Sequence, residues 1–220
     1  MKQPAEKRRR KRKRLSGIQI AVVILGSILF LAAAGFGGYV WYEEDQHQKA
    51  LLNYPVAYTE LIKQYADKYD LDPYLVQSII RCESSNKPDA VSKVGAIGLM
   101  QIMPDTGEWI GHKIDPELAY SLDMLEDPAT SIEYGCWYLR FLSDRFSGRT
   151  MEIIAAYNAG HGSVEEWLND ARFSQDGILT TIPFESTALY YEKVMFAYEN
   201  YKTLYPEEFS TLPQSETVSE

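Results

Sequence analysis

Cysteine and histidine are scarce in this chain, two and three respectively among 220 residues. His47, His112 and His161 are dispersed, and neither Cys82 nor Cys136 has a partner at ligand spacing, so no metal centre is legible from the spacing. No cofactor signature stands out either: Gly95-Ala96-Ile97-Gly98 lacks the spacing and the lysine of a phosphate-binding loop. Long period-two runs are missing, which argues against an extended sheet and for a mainly helical fold. Positive charge is short outside the N-terminus. The whole chain carries a net charge of −9; its first 17 residues hold nine cations and one glutamate, which leaves −17 for the remainder. An acidic domain of this kind has no broad electrostatic grip on nucleic acid, so recognition must rest on local hydrogen bonds and stacking.

Residues 1–17 are basic, with Lys7 to Arg14 an unbroken cationic run. Residues 18–42 carry no charge and are long enough as a helix to cross a bilayer, with Tyr39, Trp41 and Tyr42 at the aromatic edge. The positive-inside rule places the basic end in the cytoplasm and the rest of the chain on the far side of a cell membrane. This orienting role accounts for the basic run better than nucleic-acid binding does. A cleaved signal peptide ending near Ala32-Ala33-Ala34 is the rival to a single-pass anchor, and the length of the apolar run favours the anchor. Residues 43–54 read as a linker, 55–205 as one folded domain and 206–220 as a flexible acidic tail.

Helix signals fill the domain. An apolar stripe of Leu61, Ile62, Tyr65 and Tyr69 predicts a helix over 56–69. Asp72-Pro73 pairs a cap residue with the residue best suited to the first helical position, and Asp127-Pro128 repeats it before a long helix through Ile132, Cys136, Leu139, Leu142 and Phe146. The segment 86–98 is rich in turn formers. Pro104 forces a break, after which Asp105 or Thr106 can cap a new turn. Helical spacing resumes from Met151 to Tyr157, Ser163 with Glu166 suggests a capping box, and a last helix spans 187–201.

Glu83 is the residue with the clearest chemical implication. It follows Ile79 and Ile80 at helical spacing, and Ser84-Ser85-Asn86 comes directly after it. A carboxyl held against apolar side chains keeps its proton near neutral pH and can donate it to a leaving group; the structural alternative is a helix end that turns its charge to water.

Glu83-Ser84, then Gly98-Leu99-Met100-Gln101-Ile102-Met103-Pro104, then Ala156-Tyr157-Asn158-Ala159-Gly160 resemble the three ordered signatures of the soluble-lytic-transglycosylase family, bacterial enzymes that cut peptidoglycan. The resemblance covers about residues 55–203 and implies a lysozyme-like catalytic domain; the transmembrane helix before it is read from hydropathy alone. It also implies that Glu83 is the sole catalytic acid and base, breaking the bond between N-acetylmuramic acid and N-acetylglucosamine with formation of a 1,6-anhydromuramoyl end. Ser84 and Tyr157 become catalytic support, Tyr157 by pointing its hydroxyl at the carboxyl group. Met100, Gln101 and Asn158 become substrate contacts or cleft-shaping residues. The bland readings are a helix cap for Ser84, packing for Met100 and Gln101, and for Tyr157 a buried hydroxyl satisfying a backbone carbonyl. The partner so implied is the peptidoglycan strand; local opening of the wall for remodelling or for passage of a cell-wall or secretion assembly is the role expected of an anchored enzyme of this kind.

One segment departs from the family pattern. In Ile182-Pro183-Phe184-Glu185-Ser186-Thr187, Ser186 stands at the usual glutamate position and Glu185 one place earlier, while Thr187 and Tyr190 keep theirs; Glu185 and Tyr190 are the substrate-binding candidates here. Two other readings follow. A hydrolytic muramidase would use Asp89, Asp105 or Asp115 as base, and a non-catalytic peptidoglycan-binding scaffold would keep the cleft without turnover. The two cysteines, both extracytoplasmic in this topology, permit either a Cys82–Cys136 disulfide or two buried thiols.

Overall fold

The computed structural model describes residues 16–209. The basic run Lys7–Arg14 and residues 210–220 of the acidic tail lie outside the described residues. Two compact units divide the chain near residue 50.

The first unit is built on helix α1, Gly17–Asn53, where Ile18, Leu25, Phe30, Phe36 and Trp41 are among the exposed apolar side chains. By length and composition this helix can cross a membrane, and a signal sequence near an N-terminus has the same profile. The helix continues through residues 43–53, where the sequence reading placed a linker. The reason is local: this stretch has neither glycine nor proline, and Glu44–Gln48 and Asp45–Lys49 pair one turn apart at 2.9 and 2.6 Å. Pro55 follows the end of the helix.

The second unit is mainly α-helical. Its elements are α2 (Thr59–Lys68), α3 (Pro73–Glu83), α4 (Pro104–Ile114), a short 3-10 turn (Leu122–Leu125), α5 (Pro128–Arg145), α6 (Thr150–Ala159), α7 (His161–Leu168), a hairpin of β1 (Ser174–Gln175) and β2 (Ile178–Leu179), and α8 (Glu185–Leu204). Both aspartate–proline starts behave as expected. Asp72 accepts the Tyr74 amide at 2.8 Å and Asp127 the Thr130 amide at 2.9 Å, each with proline in the first turn. Buried Ile132, Cys136, Leu139 and Leu142 make α5 a core helix, against which α2, α4 and α6 pack.

Four local expectations change. Helix α2 starts at Thr59 because Tyr58 takes a left-handed φ of 58°, which a continuing helix cannot hold. Helix α4 starts on Pro104 with Met103 before it and no side-chain cap from Asp105 or Thr106. Ser163 lies inside α7 and donates to the Ala159 carbonyl at 2.9 Å, so it forms no capping box. The hairpin turns on Asp176-Gly177, φ 52° and 72°, an Asp-Gly signal for a tight turn whose two-residue strands are too short to show a period-two pattern. Residue 209, expected to lie in the tail, is packed instead. Phe209 is 5% exposed and meets the Tyr74 ring edge-on at 5.0 Å.

Two glycines let the loop before α4 sit against the core. A Cβ on Gly98, which has φ +82°, would lie 1.9 Å from the Leu125 carbonyl oxygen, and one on Gly135 of α5 would lie 2.0 Å from Met100 Sδ. This loop is tied further by antiparallel bridges of Ile97 to Val91 and to Ile102.

Candidate active site

Glu83 is the last residue of α3, on the helix whose buried face carries Val76, Ile79 and Ile80. The helix stops there because Ser84 leaves helical geometry and Ser85 and Asn86 take left-handed φ values of 55° and 63°. Gln77, fully buried one and a half turns earlier, accepts from the Ala57 amide at 3.5 Å and donates to Asn86 at 3.0 Å, pinning the chain on both sides of the glutamate.

Helix α8 packs along α3 and delivers two polar groups to that end. Tyr190 Oη donates to Glu83 Oε1 at 2.5 Å, and Lys193 Nζ donates to the Cys82 carbonyl at 3.2 Å. Burial pushes the Glu83 carboxyl above the usual carboxylate range, opposed by the Tyr190 hydrogen bond and the Lys193 charge. The Tyr190 and Tyr157 phenols are held far above their ordinary range, first by burial and then by the nearby Glu83 charge. The arrangement is therefore a shielded carboxyl with one oxygen occupied by a neutral phenol donor and the other left to carry or receive a proton.

The expected site residues divide sharply. Tyr157 does not aim its hydroxyl at the carboxyl group; Tyr157 Oη donates to the Met100 carbonyl at 2.8 Å, and its ring lies 5.6 Å from that of Tyr138. Ser84, 6% exposed, turns its hydroxyl back to the Ile80 carbonyl at 3.2 Å, as a helix-end serine does. Met100 has no exposed surface and packs against Gly135, so it is core; Met103, three residues on, is the methionine at the surface. Gln101 takes a left-handed φ of 49° and spends its amide nitrogen on the Ala90 and Gly98 carbonyls, both at 3.0 Å, which braces the loop. Asn158 is exposed and accepts from buried Thr187 at 2.9 Å, joining the end of α6 to the start of α8. Glu185 is exposed in the first turn of α8, while Tyr190, taken from the sequence as a substrate contact, is the direct partner of Glu83.

Cys82 and Cys136 are free thiols rather than a disulfide. Burial raises the Cys82 thiol to about 11 and pushes Cys136 higher still, so neither is poised as a nucleophile. Asp89, Asp105 and Asp115 are exposed. Among the described residues no group of three histidine, cysteine or carboxylate side chains is placed to hold a metal ion. Lys193 went unnoticed in the sequence, although it shares a helix face with Tyr190 at three-residue spacing.

Comparison with known proteins points to one family. A family model described as "Transglycosylase SLT domain" matches residues 60–179. The soluble lytic murein transglycosylase of Escherichia coli K12 is 35% identical over 150 residues, which is 67% of this chain and 23% of that protein. Among solved structures, an inactive mutant of the lytic transglycosylase Slt from Pseudomonas aeruginosa is similar with a TM-score of 0.62 and 35% identity, over 68% of this chain and 24% of that one. The 70 kDa soluble lytic transglycosylase of Escherichia coli is similar with a TM-score of 0.66 and 31% identity, over 76% and 27%. The chain thus spans about a quarter of the length of the relatives it matches.

Proposed function

The chain belongs to the transglycosylase SLT domain family, and on that footing we propose that it is a membrane-anchored lytic transglycosylase acting on peptidoglycan glycan strands. The observation that carries the reading is the Glu83 carboxyl, shielded at the end of α3 and bonded by Tyr190 at 2.5 Å.

Glu83 gives its proton to the oxygen linking N-acetylmuramic acid to N-acetylglucosamine. The bond breaks, the muramic C1 acquires oxocarbenium-like character, and Glu83 becomes a carboxylate stabilised by the Tyr190 hydroxyl. The C6 hydroxyl of the same sugar then attacks C1 and passes its proton to Glu83, leaving a 1,6-anhydromuramoyl end and restoring the acid. Because the nucleophile belongs to the ring already bound, a second carboxylate to position water is unnecessary. A single shielded glutamate suits this route, and exposed Asp89, Asp105 and Asp115 are poorer bases than a held carboxylate for a hydrolytic one. The apolar helix α1 is the anchor in this proposal, with the N-terminus cytoplasmic and the helical domain facing the wall.

Mass analysis of purified peptidoglycan digested by the full chain tests the proposal. The anhydro product is one water lighter than the product of hydrolysis. Reducing muramic ends alone would assign a muramidase, and no released fragments from well-folded protein would assign a binding scaffold.

A further inference from the structure

The last carbonyls of a helix lack intrahelical donors and form the negative end of its dipole. In α3 that end is met by a cation from another helix. Lys193 reaches the Cys82 carbonyl at 3.2 Å from α8, three residues after Tyr190 and on the same face. Two contacts from one helix thus hold adjacent residues, the phenol on the Glu83 carboxyl and the ammonium on the peptide just before it. Arg81 is closer in sequence but is turned away, with Nε on the Asn53 carbonyl at 3.1 Å and a second nitrogen on Ser85 at 2.9 Å.

We propose that Lys193 is a positioning residue of the site: its ammonium on the Cys82 carbonyl ties the last turn of α3 to α8 and brings a positive charge to the end of the helix that carries Glu83. The inference rests on Glu83 being the acid of the proposed reaction. The titratable groups around that carboxyl are Tyr190 and Lys193 from α8, Tyr157 from α6 with its hydroxyl on the Met100 carbonyl, and Cys82 on its own helix. Tyr190, Tyr157 and Cys82 all have protonated forms favoured by burial, so Lys193 supplies the charge in this set. Its role is to offset part of the cost of ionising a half-buried carboxyl. Without it Glu83 would keep its proton to higher pH, and the carboxylate formed when the sugar bond breaks would be less stable.

The test compares full-length wild type with Lys193→Met, which keeps the alkyl stem and loses the charge, and Lys193→Arg, which keeps the charge. Carbon-13 detection of the Glu83 side chain follows its titration directly, and muropeptide release against pH follows its use. In Lys193→Met the titration moves to higher pH, and the alkaline limb of activity moves with it. On that limb the variant keeps about two- to threefold more of its own maximal rate than wild type keeps, the range an exposed charge pair is worth. Lys193→Arg stays with wild type. A Lys193→Met titration superimposed on wild type, or a Lys193→Arg titration displaced as far as that of Lys193→Met, overturns the proposal. Because the titration needs no turnover, it reads the Lys193 proposal even if the wild type forms no anhydro product.

Discussion

Replacing Tyr190 by phenylalanine separates this site from one organised around Tyr157. The substitution removes a single hydroxyl, the donor 2.5 Å from Glu83 Oε1, and leaves the ring to pack on α3. While Glu83 is protonated, the lost bond is between neutral groups and is worth about 0.5–1.5 kcal/mol; once the proton has left, the bond is to a carboxylate and is worth about 1.5–3 kcal/mol. The difference falls on the step that generates the carboxylate. It therefore lowers kcat more than it raises KM, by about 5- to 12-fold for a difference of about 1–1.5 kcal/mol where proton transfer is well advanced in the transition state. The same loss raises the Glu83 pKa, because the phenol bond is one of the two influences that oppose burial, so the alkaline limb of the rate profile moves to higher pH. Tyr157→Phe is the control. Its hydroxyl serves the buried Met100 carbonyl, and its loss costs stability, about 1–3 kcal/mol, with the alkaline limb left in place. The assay is steady-state release of soluble muropeptides between acid and mildly alkaline pH, with thermal unfolding of each variant. A Tyr190→Phe enzyme within about twofold of wild-type kcat, or a Tyr157→Phe enzyme that carries the pH shift instead, would refute the reasoning.

Glu83→Gln is expected to lose at least about a hundredfold in rate, the contribution of a general acid, in the same muropeptide assay. Its stability should move the other way. A carboxyl whose folded pKa lies above its unfolded value contributes no penalty below the ordinary carboxylate range and an increasing one as pH rises from there toward the folded pKa. The Gln variant escapes that penalty, so its thermal midpoint should match wild type in acid and equal or exceed it at neutral pH. Gly98→Ala should unfold or strongly destabilise the domain, because the new Cβ meets the Leu125 carbonyl oxygen at 1.9 Å in a left-handed backbone, and circular dichroism melts will read it. Alkylation of unfolded, unreduced protein followed by mass measurement should label both Cys82 and Cys136; a mass lacking both labels contradicts the free thiols.

Local signals were strong wherever one helix turn contains the whole cause. The two aspartate–proline starts need only a side chain and the amide two or three residues on. The same is true of the apolar face that Glu83 shares with Ile79 and Ile80, since helical spacing alone puts them together. The three ordered motifs then identified the family from residues 83 to 160. Where the cause lay in chain conformation or in a neighbour, the pattern misled. Met100 and Gln101 sit inside a motif that suggests substrate contact, but a left-handed turn at Gln101 sends its amide to the loop's own carbonyls, and the close approach that Gly135 permits takes Met100 into the core.

The amino-acid sequence by itself determined the charge-free N-terminal stretch, the helical domain, and a glutamate on an apolar face at a helix end. Only the tertiary structure decided which tyrosine meets that glutamate. Periodicity reports the face a side chain shares with its own helix, but not which distant helix lies opposite or at what rotation. Tyr190, 107 residues from Glu83, reaches it because α8 packs lengthwise on α3, while Tyr157, within the signature motif, is drawn to the Met100 carbonyl.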